Sequence, residues 1–198
     1  MKDCIERILI SEEEIDSITS SLAEKITEDY KNSERELVLL CVLKGSIVFI
    51  ADLMKKIQIP LEVETMKVSS YGAETVSSGI IKIQLDLCRD DLSNVDILII
   101  EDIIDSGNTL SKLTKHLLKK GAASVKTCTL LDKPSRREVD FKPDYCGTVI
   151  PDEFVVGYGL DYNEKFRNLP FIGILKPEVY GGTSADDPQI QTEVQYAL

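Results

Sequence analysis

Three carboxylates, Glu101, Asp102 and Asp105, fall within five residues, and a small polar turn, Ser106-Gly107-Asn108-Thr109, follows them directly. Carboxylates at such a point can accept hydrogen bonds from neighbouring sugar hydroxyls. The turn leads into a helical pattern, so its backbone N–H groups and the helix dipole favour an anion, most simply a phosphate. The segment VDILIIEDIIDSGNTL, residues 95–110, thus offers a sugar-hydroxyl acceptor, a spare carboxylate and a phosphate cradle, in that order. The plainer reading is a buried strand followed by an acidic solvated loop. The density of acids directly before a phosphate-type turn makes it the weaker one.

Positioning these groups is the task of the preceding apolar run, Val95, Ile97, Leu98, Ile99 and Ile100, which is rich in β-branched residues and reads as a strand buried on both faces. The acids are then expected at and beyond its C-terminal end, the edge at which ligands bind in open parallel sheets. A second run, LVLLCVL at 37–43, ends at Lys44-Gly45-Ser46, and a helix is expected to follow with Ile47, Ile50, Met54 and Ile57 on one face. This is again strand, glycine turn, helix, a second anion site on the same edge, although Lys-Gly turns are common punctuation. A third strand, VKTCTLL at 125–131, ends at Asp132-Lys133-Pro134. Lys133 by itself is an ordinary solvated strand-end lysine.

The remaining elements frame these three. The chain is expected to open with a helix, capped by Ser11 with Glu14 three residues on, a capping box, and carrying Ile15, Ile18, Leu22 and Ile26 at helical spacing. LEVETMKV at 61–68 and IIKIQLDL at 80–87 read as a hairpin with a long Ser- and Gly-rich tip, 69–79. The helix after the central motif shows Leu110, Leu113, Leu117 and Leu118 on one side, with Gly121 as its stop. It carries the only histidine, His116, read as a surface residue, so acid–base work falls to carboxylates or lysines.

The chain has 198 residues, 43% hydrophobic and 29% charged, which suits one globular domain with a full core and a small appended lobe. A formal net charge of -11 disfavours nucleic acid or an anionic membrane as partner. The five cysteines are odd in number and show no CxxC spacing, so neither a disulfide framework nor a zinc site is suggested, and Cys41 and Cys128 read as small core residues. No stretch reads as membrane-spanning or as a signal peptide, so a cytoplasmic setting is the default expectation.

Residues 95–110 closely resemble the phosphoribosyl pyrophosphate (PRPP) motif of the type I phosphoribosyltransferases, and the chain from about residue 5 to about residue 180 is similar to their hypoxanthine-guanine branch, bacterial type. The sequence VLKGS resembles the family's pyrophosphate-binding loop, in which the peptide equivalent to Leu43–Lys44 can be cis; Ser46 stands where the family often has a second glycine. VGYGLDYNE, residues 156–164, is a very specific match to the family signature.

The resemblance implies an α/β fold with a mainly parallel sheet, helices on both faces, and a small hood lobe from the N- and C-terminal segments. One domain would span 1–180; residues 181–198 fall outside the resemblance, and their Gly-Gly start, acids and lack of periodicity read as a flexible or loosely docked tail. It implies transfer of the phosphoribosyl group from PRPP to N9 of a 6-oxopurine, hypoxanthine or guanine, by way of an oxocarbenium-like anomeric carbon. Asp105 would serve the purine N7 as acid or base, and Ser70 and Tyr71 would ride on a loop closing over the reacting centre. Ser106, Gly107, Asn108, Thr109 and Leu110 would hold the 5′-phosphate, and Lys44, Gly45 and Arg167 the pyrophosphate. Asp102 would meet the ribose, Lys133 the 6-oxo group, Phe154 the purine face and the Val155 backbone the 2-position. Mg²⁺ would lie near Glu101, Asp102 and Asp161, held mainly by substrate oxygens. The family's habit implies a homodimer or homotetramer. Competing readings are a PRPP-binding RNA regulator, a phosphoribosyltransferase for xanthine, adenine or orotate, and a generic nucleotide-binding domain. The last lacks a GxGxxG or Walker motif.

Overall fold

The structure is a computed structural model that describes residues 1–69 and 82–181. The expected loop pair Ser70 and Tyr71, and all but the first residue of the expected tail, lie outside the described residues. The chain divides into two compact units, one from Ser17 to Asp152 and one combining Met1–Asp16 with the segment from Glu153 onward.

In chain order the strands are β1 (Ile5–Ile10), β2 (Glu36–Val42), β3 (Glu62–Ser69), β4 (Lys82–Leu85), β5 (Val95–Ile104), β6 (Ser124–Asp132), β7 (Tyr145–Val149), β8 (Val155–Val156) and β9 (Ile172–Leu175). The helices are α1 (Glu12–Tyr30), α2 (Ile47–Lys56) and α3 (Asn108–Lys119). The larger unit holds a six-stranded sheet in the order β4-β3-β2-β5-β6-β7. Every neighbouring pair is parallel except β3 with β4, the hairpin. From β2 the chain crosses by α2 to β3 on one side, and from β5 by α3 to β6 on the other. Right-handed crossovers in opposite directions put the two helices on opposite faces. The packing agrees. Val38, Leu40, Ile97 and Ile99 line up on one face with Leu113 and Leu117 of α3. By strand alternation Leu39, Cys41, Leu98 and Ile100 point to the other face, where α2 buries Phe49, Ile50 and Leu53. Leu39, Leu98, Ile99 and Ile100 show no exposed surface, as expected of a parallel strand covered on both sides.

The smaller unit is a three-stranded antiparallel sheet, β1-β9-β8. A core of Val156, Phe166, Leu169, Phe171 and Leu175 fills it. Among the described residues no helix is long and apolar enough to cross a membrane.

Several expectations need correction. The chain does not open with a helix: a short 3-10 turn and β1 precede α1, and Ile8 on β1 faces outward, which hides the strand's period. The capping box does form, with Ser11 N–H donating to Glu14 Oε2 at 2.8 Å and Glu14 N–H to Ser11 Oγ at 3.2 Å. On α2 the buried stripe is Phe49, Ile50, Leu53 and then Ile57, whereas Ile47 and Met54 are exposed. That helix is apolar nearly all round, so its period cannot choose between adjacent stripes. On α3, Leu118 points to solvent. Gly121, at φ 100°, stops α3 as expected: its N–H donates to Leu118 O at 3.1 Å and that of Ala122 to Leu117 O at 3.2 Å. His116 is half-buried on α3. Cys41 and Cys128 are buried.

Candidate active site

β5 runs further than its apolar stretch. Glu101 and Asp102 lie inside the strand, which continues to Ile104, and Asp105 alone follows it. Strand pairing carries the ladder on, since Glu101 faces Thr129 and Ile104 faces Asp132 on β6. The acids are therefore fixed by the sheet instead of hanging in a loop. β2 and β5 are also the strands at which the chain changes direction across the sheet, and in open α/β sheets ligands bind beyond the C-terminal ends at such a switch point.

Around that point the strand ends converge. Asp102 packs so closely on the Lys44-Gly45-Ser46 turn that a Cβ on Gly45 would lie 1.7 Å from its Oδ2. Only glycine fits there. The Leu43–Lys44 peptide is cis. Ser46, the departure from the family pattern, is fully buried and donates its hydroxyl to Val42 O at 2.5 Å, turning away from the loop's outer surface. Glu101 has an Oε2 shut from solvent with no hydrogen-bond partner. Burial, and secondarily the charge of Asp102, push its carboxyl well above the ordinary glutamate range. A buried carboxylate oxygen without a partner is the kind of hard donor that suits a hard cation, but strand alternation sends Glu101 and Asp102 to opposite faces, so adjacency alone does not make them one donor set. Among the described residues no group of three or more acids, histidines or cysteines gathers as a protein-only metal site.

The phosphate-type turn has the expected form. Gly107 takes φ 80° and leads into α3. Asn108 N–H donates to Ser106 Oγ at 3.3 Å. Asp105 sits at its start with a buried Oδ1 that accepts no hydrogen bond, although Arg136 Nε lies 3.5 Å away as an ion pair. Burial raises the Asp105 carboxyl; Lys133 and Arg136 pull it back, and Asp152 raises it again. Lys133 follows β6 on the adjacent strand end and is only 9% exposed. Its N–H donates to Ile104 O at 3.0 Å, and its ammonium lies 3.9 Å from Asp152 Oδ1. Sequence reasoning did not single out Arg136 or Arg137. Two consecutive arginines three residues after a strand-end lysine were the available signal.

In the smaller unit, Phe154 stacks on Tyr180 with centroids 5.0 Å apart and meets the edge of Tyr162 at 5.7 Å. Val155 pairs with Ile174 in the sheet. The signature segment takes an unusual course, with Gly157 and Gly159 at φ near 100° and Tyr158, Asn163 and Glu164 also at positive φ. A Cβ on Gly157 would lie 2.1 Å from Phe171 O. The fold of this loop brings Asp161 and Arg167 together, with Arg167 Nη2 2.7 Å from Asp161 Oδ1 and Nη1 donating to Gly159 O at 2.8 Å. Glu164 N–H donates to Asp161 Oδ2 at 2.7 Å. Neither Tyr180 nor the Asp161–Arg167 pair was read from the sequence.

A parallel sheet with acids and anion turns at its switch point defines a class that binds phosphorylated sugars or nucleotides. Residues 5–163 match the phosphoribosyl transferase domain, and the chain belongs to that family. Within it, a hypoxanthine-guanine phosphoribosyltransferase of Bacillus subtilis (strain 168) is 53% identical over 180 residues, covering 91% of this chain and 98% of that protein. The bifunctional protein TilS/HprT of Listeria innocua is 51% identical over 180 residues, which span 91% of this chain but 27% of that longer one. A crystal structure of a hypoxanthine phosphoribosyltransferase from Staphylococcus aureus superposes with a TM-score of 0.86 at 46% identity, covering 92% of this chain and 97% of that one. One from Trypanosoma cruzi gives 0.85 at 41% identity, covering 90% of this chain and 95% of that one.

Proposed function

We propose that this chain is a purine-salvage enzyme that transfers the phosphoribosyl group from PRPP to N9 of hypoxanthine or guanine. The bond from the anomeric carbon to pyrophosphate breaks and the bond to N9 forms. The observation that carries the reading is the set of neighbouring strand ends in the larger unit: Gly45 against Asp102, then Asp105 and the phosphate-type turn, then Lys133. Asp102 accepts hydrogen bonds from the ribose hydroxyls. The N–H groups of residues 106–110 face the 5′-phosphate. Lys44 and Gly45 take pyrophosphate oxygens, as does Arg167. Asp105, its carboxyl raised above the ordinary aspartate value by burial, accepts the N7 proton as N9 attacks. Lys133 donates to the 6-oxo oxygen. Phe154, held by its stack on Tyr180, meets the purine face, with the Val155 backbone toward the 2-position. Ser70 and Tyr71 belong to the loop that shields the reacting centre.

Glu101, Asp102 and Asp161 are the residues toward which Mg²⁺ would lie, and the ion would supply charge neutralisation for the departing pyrophosphate. Excess EDTA is expected to abolish turnover. The setting is cytoplasmic and the assembly a homodimer or homotetramer, which light scattering after size exclusion would check. The decisive test is a panel of hypoxanthine, guanine, xanthine and adenine assayed with PRPP. Efficient turnover of the first two with release of pyrophosphate is expected. A preference for adenine, or no turnover of any base, would overturn the reading.

A further inference from the structure

We infer that Arg137 is a positioning residue for the 5′-phosphate turn, acting through the turn's backbone and not on the phosphate itself. The inference rests on the reading of residues 106–110 as the phosphate cradle. A turn binds an anion through N–H groups only if its carbonyls are held facing elsewhere, because a carbonyl oxygen turned inward repels the charge. The segment after Lys133 does this holding. Arg137 Nη1 donates to the carbonyl of Asp105, and its Nη2 donates to the carboxylate of Asp132. The next residue, Glu138, donates its N–H to Ser106 O at 3.0 Å. Its carboxylate accepts from Asn108 Nδ2 at 2.5 Å. Gly107 is covered as well, since a Cβ there would meet Arg137 Cδ and Val139 Cγ2, each at 3.1 Å. Asp105 and the first three turn residues, Ser106, Gly107 and Asn108, are thus each met by residues 137–139.

Within this strap Arg137 is the anchor. Its side chain and that of Asp132 are only 15% and 14% exposed, so the pair is shielded and its charge-assisted bonds are stronger than surface ones. Asp132 is the last residue of β6, so the guanidinium ties the turn to the rigid sheet. Both guanidinium ends are occupied by these partners, which places its action on the turn's shape.

The experiment compares wild type with Arg137→Met and Arg137→Lys. It measures KM for PRPP and for hypoxanthine, kcat, the melting temperature, and binding of ribose 5-phosphate without metal by calorimetry. The expected result is about a tenfold weakening of both PRPP KM and ribose 5-phosphate affinity, with hypoxanthine KM unchanged. Arg137→Lys should recover part of the stability through Asp132 but little of the affinity, because one ammonium cannot serve carboxylate and carbonyl in the same fork. It also carries the test should Arg137→Met fail to fold. Unchanged PRPP and ribose 5-phosphate binding, or an equal rise in both KM values, would overturn the inference while leaving the phosphate cradle intact. Failure of the wild type to bind ribose 5-phosphate would instead overturn the reading of the turn, and the inference with it.

Discussion

Asp105 is pulled in two directions. Burial and Asp152 raise its carboxyl, and Lys133, Arg136 and Arg137 lower it. The net direction is upward, so the group ionises above the ordinary aspartate value of ~3.9. If Asp105 is the base, kcat/KM for hypoxanthine falls on the acid side with an apparent pKa above that value. Arg136→Gln removes a cation that favours the ionised form, so the acid limb should move to higher pH; a pH–rate profile of the two proteins checks the sign. Asp105→Asn cannot take a proton at all and should lower kcat by roughly 10²–10⁴-fold. Asp102→Asn should act on PRPP affinity instead, as measured by KM.

Lys133 offers only donors, so it matches a 6-oxo group and leaves the 6-amino group of adenine facing another donor. A buried polar group left unpaired costs ~1–3 kcal/mol, and ~1.4 kcal/mol is a factor of ten. Lys133→Met should therefore narrow the hypoxanthine-to-adenine ratio of kcat/KM by at least about tenfold. An unchanged ratio would return Lys133 to the role of a plain strand-end lysine.

At the scale of the element, the strand ends matter more than the strands. β2 and β5 are adjacent and parallel, so their following turns emerge side by side, and the absence of a side chain at Gly45 lets Asp102 press against the neighbouring loop. A methyl group at Gly45 would displace the carboxylate, the loop, or both. Misplacement of a reacting group by ~1 Å is worth on the order of 10²-fold in rate. Gly45→Ala is expected to lower kcat/KM for PRPP by about that amount while the melting temperature changes little, since the buried sheet below is untouched. Steady-state kinetics beside thermal melting would show the split. The Phe154–Tyr180 stack works in the same way, with the C-terminal 3-10 turn, Pro177–Val179, delivering Tyr180 to the ring.

At the scale of the whole molecule, stability is weakened where function is concentrated. The Glu101 carboxyl is raised in the folded chain, so between the ordinary glutamate value of ~4.3 and its folded pKa the native state holds a proton that the unfolded chain releases. Its contribution is intact below that window and is lost as pH rises through it. Glu101→Gln removes the dependence. The unliganded variant should melt above wild type at neutral pH, and the gap should close toward pH 4. Calorimetry across that range checks both the sign and the window. The variant should bind PRPP more weakly, the usual exchange of activity for stability.

Local chemistry in the sequence already determined the elements that carry the site. The apolar runs of β2, β5 and β6 have no other stable use than a doubly covered sheet. The glycine turns after the first two are punctuated clearly enough to place Lys44, Gly45 and residues 105–110 before any coordinates. The capping box at Ser11 and the glycine stop at Gly121 are likewise written in adjacent residues. Tertiary structure alone decided the rest. Which stripe of the apolar helix α2 is buried depends on where the sheet lies. β1 is a strand because β9 pairs with it, Ile5 with Leu175 and Ile10 with Ile172, a partner so distant along the chain that no local pattern reveals it. That Asp132, Arg137 and the Asp105 carbonyl meet, and that Tyr180 lies on Phe154, follows from contacts between segments whose own residues prefer no particular partner. Hydrogen-bond donors and aromatic rings are generic in a sequence and become specific only when folding fixes their distances.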